Sequence, residues 1–321
     1  MKKVLYAFAA LAVLLQVASC NKSASSGNDV EMAFNVSLTQ LPATKVDGVS
    51  EAANIDVLDV FVYDAAGTYL ANVVPTVTKT DQTHYTVKLR LLNNVTYNFV
   101  FFAQKSGTYT YAADKKSITI DYSAITANSD LADAFYARVN NFTVSSTFSQ
   151  AVTLTRPFAQ INFGSVKTDY LSAEASQVAF DENLKTAITV KQAATKLNLL
   201  TGVASEPADV TFLPGVYMGK ASASATLTVN ETSFPGATPV RYMGMVYILA
   251  NPESATTLTK VSLGINGLQN GNAFSATREV TNVPVRRNYR TQIVGNVFTD
   301  EGTFNVTIVP TYETPDYDKN L

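Results

Sequence analysis

Few side chains in this sequence are of the types that carry covalent or metal chemistry. Its 321 residues include one cysteine, Cys20, and one histidine, His84. One of each cannot make a structural zinc site, which takes four Cys or His ligands. His84 opens an alternating stretch beside Tyr85, with no serine or cysteine nucleophile close in sequence, and reads as a surface strand histidine. Asp130 and Asp133 are spaced like a catalytic pair, but they open a helical pattern over residues 129–139, where the helix dipole favours acids in the first turn. Gly264, Gly267 and Gly271 resemble a phosphate loop only in composition: no helix pattern follows them, and β-turns account for them. Arg286, Arg287 and Arg290 form one cationic knot. They read as charges on an edge strand that oppose sheet-to-sheet association, with an anion site as the alternative. No catalytic residues, no metal site and no cofactor are expected.

Cys20 is the exception. Lys2 and Lys3 open the chain, an apolar run covers residues 4–15, and Val17-Ala18-Ser19-Cys20 closes it. A charged start, about a dozen apolar residues and small residues before a cysteine form an export signal. The run is short of the ~20 residues that span a bilayer. A cysteine with no possible disulfide partner, placed at the end of such a run, reads as a lipobox. The peptidase cuts before Cys20 and the new N-terminus is acylated. The alternative is an ordinary signal peptide cut near the same place.

Removing residues 1–20 leaves a chain that suggests two domains at ~100–200 residues each, both large enough to bury a core unaided. Lys2 and Lys3 leave with the leader, so 22 basic and 26 acidic residues remain, a net charge of −4. A mildly acidic chain with scattered charge excludes the clustered Lys and Arg that nucleic-acid binding needs. No second apolar run nears spanning length, so membrane attachment rests on the lipid. Only 16% of residues are charged while Thr, Val and Tyr are abundant, which favours strands. Tryptophan is absent, leaving 17 Phe and 16 Tyr for all aromatic packing.

Residues 21–29 are small and polar and read as a tether. Residues 32–41 alternate, with Met32, Phe34, Val36 and Leu38 on one face, which predicts a half-buried strand. A loop with Pro42, Lys45 and Gly48 follows. Further strands are predicted over 55–64, 68–74, 85–91, 97–103 and 117–122, the 97–103 run being nearly all apolar and hence central. Residues 151–164 form two strand-like pieces broken by Arg156-Pro157, and proline marks a boundary because it cannot donate to a ladder. The domains are therefore set at 30–157 and 158–321. In the second, strands are predicted over 188–190, 209–213, 224–229 and 242–250. A hairpin turns at Asn270-Gly271, and a last one joins 288–298 to 303–309. Phe304, Val306 and Ile308 form the alternate row of its second arm. Many short strands with Gly and Asn turns give the fold class: all-β, two consecutive antiparallel β-sandwich domains.

Leader, tether, two sandwiches and closing hairpin together resemble the fimbrillin-like (type V pilin-like) surface lipoproteins of anaerobic Gram-negative bacteria. Three stretches carry the likeness: Val60-Phe61-Val62-Tyr63-Asp64-Ala65-Ala66-Gly67-Thr68-Tyr69-Leu70, Arg156-Pro157-Phe158-Ala159-Gln160-Ile161, and Arg287-Asn288-Tyr289-Arg290-Thr291-Gln292-Ile293. The resemblance implies transthyretin-like sandwiches and a pilus subunit or adhesin that assembles by donor-strand exchange at the outer membrane surface. In such proteins a cut after a basic residue beyond the first strand removes that strand, and a C-terminal strand of another subunit replaces it. The first arginine here is Arg90, inside a strand, so the candidate processing site is Lys45. The candidate donor residues are Phe304, Val306 and Ile308. Expected partners are other pilin subunits or host and bacterial surface ligands. The alternative is a glycan-binding surface lipoprotein on the same scaffold, with exposed tyrosines such as Tyr109 and Tyr111 as its platform.

Overall fold

The computed structural model describes residues 29–39, 55–145, 148–217, 226–227, 240–251, 257–299 and 304–309. In the first half of the chain the strands are β1 (Asp29–Leu38), β2 (Val57–Asp64), β3 (Thr76–Lys79), β4 (His84–Leu92), β5 (Thr96–Gln104), β6 (Thr110–Tyr111), β7 (Ser117–Thr119), β8 (Ala134–Thr143) and β9 (Phe148–Leu154). The second half holds β10 (Phe158–Ser165), helix α1 (Lys167–Ala175), β11 (Lys185–Asn198), β12 (Ala204–Thr211), β13 (Gly215–Val216), β14 (Thr226–Leu227), β15 (Val240–Leu249), β16 (Thr257–Gln269), β17 (Asn272–Val285), β18 (Arg290–Gly295) and β19 (Phe304–Val309). The fold is all-β, built of stacked sheets.

Among the described residues there are three sheets. One runs β3-β4-β1-β9, a second β2-β5-β8, and the large third β17-β16-β11-β15-β10-β18-β19, with the short strands attached to it. Ladders are antiparallel except for two pairs, β1 with β9 and β10 with β18.

The β2-β5-β8 sheet lies between two cores, which explains why β5 is apolar without a break from Phe99 to Ala103. Tyr97, Phe99, Phe101 and Ala103 join Met32, Phe34, Tyr85, Val87 and Val152 in one core. Val100 and Phe102 point to the opposite face, where they join Phe61, Tyr63, Tyr136 and the strands of the large sheet in the other. A strand buried on both faces loses the polar alternation of a half-solvated one. The second core takes residues from both sides of Arg156-Pro157: Tyr109, Ile118 and Tyr122 pack in it, and β7 pairs with β11.

Four expectations are corrected. Residues 129–139 are not a helix: β8 pairs with β5 from Ala134 onward. Successive residues Phe135 and Tyr136 enter opposite cores, which only a strand allows. Residues 68–74 form no return strand. Tyr69 makes a single bridge to Tyr63, its ring packs on Phe61 and Tyr63 at 5.9 Å, and β3 instead pairs with β4. Helix α1 was not expected, because it buries Asp169, Tyr170 and Ala173 and shows no apolar stripe. The arginine knot is not a row on an edge strand: Arg290 opens β18, which has neighbours on both sides, and Arg286 and Arg287 lie in the turn between β17 and β18. Arg287 is buried and donates to the carbonyls of Ala250 and Gly202 at 3.1 and 2.5 Å.

Candidate functional site: the slot of the first strand

Strand β1 sits inside its sheet, antiparallel to β4 and parallel to β9. Its alternate residues Met32, Phe34, Val36 and Leu38 are 0, 0, 1 and 3% exposed. The Phe34 ring packs on Phe99 at 5.0 Å and on Phe101 at 5.2 Å, tilted and edge-on geometries that aromatic pairs favour. On the outer face Asn35 Nδ2 donates to Ser149 Oγ at 3.1 Å, and the Ser37 and Thr153 hydroxyls lie 3.4 Å apart. The end of the strand is tied down from both sides. Leu38 N–H donates to the Thr83 carbonyl and Thr39 N–H to the Leu154 carbonyl, each at 2.9 Å.

The turn that presents the Thr83 carbonyl is held by Asp81. Its carboxylate accepts from the N–H groups of Thr83 and His84 at 2.8 and 2.9 Å and meets His84 Nδ1 at 2.9 Å. The Thr83 N–H first, then the His84 ring, bring its pKa down to about 2. His84 is exposed and serves this turn, in keeping with the surface reading.

Strand β19 has a different setting. Among the described residues it is the last strand of the large sheet and pairs with β18 alone. Phe304, Val306 and Ile308 are half-buried, and the Phe304 ring stands edge-on to Phe163 at 6.4 Å. The turn leading to β19 is anchored by Asp169, which is 2% exposed. Its carboxylate accepts from the N–H groups of Val297 at 2.6 Å, Phe298 at 3.1 Å and Thr299 at 3.0 Å, and from the Ser165 hydroxyl at 2.7 Å.

The remaining sequence candidates fall as follows. Cys20 and Lys45 lie outside the described residues. Asp130 and Asp133 form no catalytic pair. Asp133 is buried in a two-pronged ion pair with Arg156, Nε to Oδ1 at 2.7 Å and Nη2 to Oδ2 at 2.6 Å. The guanidinium lies 4.3 Å over the Phe135 ring. Burial pushes the Asp133 carboxyl up from its ordinary value, against the pull of Arg156. Tyr109 and Tyr111 do not form an exposed platform. Tyr109 is buried and donates to the Ala132 carbonyl. Tyr111 is edge-on to Phe61 at 5.0 Å and donates to Asp59 at 2.5 Å. Among the described residues no group of three or more His, Cys, Asp and Glu stands close enough to hold a metal, and no helix is long and apolar enough to cross a membrane. The Asp169 anchor and the Arg156–Asp133 pair were not legible as such, because each joins residues far apart in sequence.

Solved structures align with most of the chain at low identity. The tip fimbrial protein Mfa3 from Porphyromonas gingivalis, solved with a C-terminal truncation, covers 88% of this chain and 99% of its own, at 14% identity and a TM-score of 0.43. A candidate cell adhesion protein from Bacteroides uniformis covers 88% and 97%, at 14% identity and a TM-score of 0.47. A candidate polysaccharide-binding protein from Bacteroides thetaiotaomicron covers 88% and 96%, at 11% identity and a TM-score of 0.44. No curated protein matches the chain. The sequence profile of DUF6562, a family of unknown function, matches residues 23–321, and the chain belongs to that family.

Proposed function

We propose that this chain is a non-enzymatic cell-surface subunit of fimbrillin type, exported with residues 1–20 as its leader, held to the outer membrane by lipid on Cys20, and assembled by strand exchange. The observation that carries the reading is the setting of β1. Its four alternate apolar residues are buried in mid-sheet, and Lys45 follows only a few positions on in sequence. Loss of the strand would open an apolar trough between β4 and β9, edged on both sides by unpaired backbone N–H and C=O groups. Such a trough is a template for an incoming strand. Phe304, Val306 and Ile308 supply the alternate apolar row of a donor. Residues 30–157 and 158–321 are the proposed units, sharing the second core along the β2-β5-β8 sheet. Partners are further subunits or surface ligands of host or bacterial origin.

N-terminal sequencing of surface-extracted protein tests this. A chain beginning just after Lys45, in SDS-resistant multimers that disappear when residues 303–321 are deleted, is the expected result. A chain that starts at Cys20 in every fraction, with no multimers lost on that deletion, would contradict it.

A further inference from the structure

Two five-residue stretches near opposite ends of the chain are near copies of each other. Phe34-Asn35-Val36-Ser37-Leu38 closes β1, and Phe304-Asn305-Val306-Thr307-Ile308 opens β19. The first three residues are identical. The last two keep their chemistry, a hydroxyl for a hydroxyl and one branched apolar residue for another.

Each of these positions has a defined task in β1. Phe34 fills the space between Phe99 and Phe101. Asn35 donates to Ser149, and Ser37 meets Thr153. Val36 and Leu38 are buried, and Leu38 N–H closes on Thr83. In β19 the same residue types do less: Asn305 is exposed, and Phe304, Val306 and Ile308 are only half-buried. We infer that the slot vacated by β1 takes β19 of a second copy of this chain, in one register, with Phe304 in the place of Phe34. The inference rests on the strand-exchange reading above and adds to it the partner and the alignment.

The flanking residues favour that register over a shift toward the start of β1. Pro310 then falls at the position of Gln40, past the end of β1, where its missing N–H costs no ladder bond. A shift of two residues, Phe304 on Met32, would place Pro310 on Leu38 and lose the bond to Thr83. It would also put a valine between Phe99 and Phe101. A shift of one residue would turn the apolar row out to solvent. In the chosen register Gly302 falls on Met32, so that pocket receives no side chain.

Engineered disulfides test the register, since bridged Cα atoms must lie about 4.4–6.8 Å apart. The full chain carries Cys20→Ala and a specific protease sequence within residues 40–48. It is cut, β1 is released with mild denaturant, and the protein is left to associate. Thr86 is the partner of Asn35 and Lys88 the partner of Ala33. Thr86→Cys with Asn305→Cys should therefore give covalent multimers, and Lys88→Cys with Asn305→Cys should not. Asn35→Cys with Thr86→Cys in the uncut chain is the control, and it should close within one molecule. Multimers that lock only through the 305–88 pair, or through neither pair, overturn the register while strand exchange stands. Absence of any multimer, with the control disulfide formed, overturns both the register and the exchange reading.

Discussion

Strands β1 and β19 carry almost the same residues in unlike surroundings. β1 has a neighbour on each side and a closed core beneath it; among the described residues β19 has one neighbour, and its Phe304, Val306 and Ile308 are half-buried. Full burial of a large apolar side chain is worth ~1.5–3 kcal/mol relative to exposure, so three such residues gain by moving from an edge to a slot. The gain is open to β19 only when β1 has gone. Under the proposed mechanism the contrast would tie assembly to removal of one strand. In the intact chain both strands are paired where they are; a cut that released β1 would leave its position empty while its near copy is held by β18.

The largest expected effect concerns the shared phenylalanine. Phe34→Ala removes a ring packed on two others, and core Phe→Ala changes cost ~3–5 kcal/mol. Phe304→Ala removes a half-buried ring and should cost about half of that. Urea unfolding of both variants measures the difference, and equal losses would break the comparison.

A smaller effect belongs to the anchor before β19. Asp169→Ala leaves the N–H groups of Val297, Phe298 and Thr299 without the carboxylate they share. Each buried donor left unmade costs ~1–3 kcal/mol, with water recovering part, so a loss of about 2–3 kcal/mol is expected. Amide exchange should quicken over residues 304–309 and stay unchanged over Met32 to Leu38. Faster exchange in both strands would mean that Asp169 supports the whole fold and not β19 alone.

The smallest effect is at the clamp on the end of β1. The Asp81 carboxyl titrates at about 2 in the folded protein, against ~3.9 for an unperturbed Asp. A depressed folded value stabilises above the ordinary one and is lost as pH falls from about 4 toward 2. Leu38 N–H, which bonds the Thr83 carbonyl, should exchange faster in Asp81→Asn than in the native chain at pH 5. The two should converge near pH 2, and a gap that persists there would assign the clamp to something other than this charge.

The strands that form the slot were legible because one face of each is buried and the other is not. Met32 to Leu38 and Tyr85 to Leu91 alternate cleanly, and the unbroken apolar run of β5 announced a strand covered on both faces. Legibility failed where local signals competed with distant contacts. Ser129, Asp130 and Arg138 imitate helix caps, but Asp133 is committed to Arg156 and Tyr136 to the second core. Helix α1 turns a charged residue inward, so no apolar stripe betrays it. Arg287 looked like a surface charge because the carbonyls that receive it, Gly202 and Ala250, lie far away in sequence. Within the candidate site, the near identity of residues 34–38 and 304–308 is visible in the sequence itself. Reading each strand for its own periodicity does not bring the two side by side; their places in the sheets do.

The central claim is that β19 of one copy replaces β1 of the next. Phe304→Asp with Val306→Asp tests it most directly, because charges are tolerable on a half-exposed edge and not in a closed slot. Size-exclusion chromatography with light scattering, after cutting in residues 40–48, is the measurement. The account predicts that the uncut variant remains a folded monomer and that the cut variant forms no multimers, while the cut native chain does. Multimers of the same size from the cut variant would contradict it.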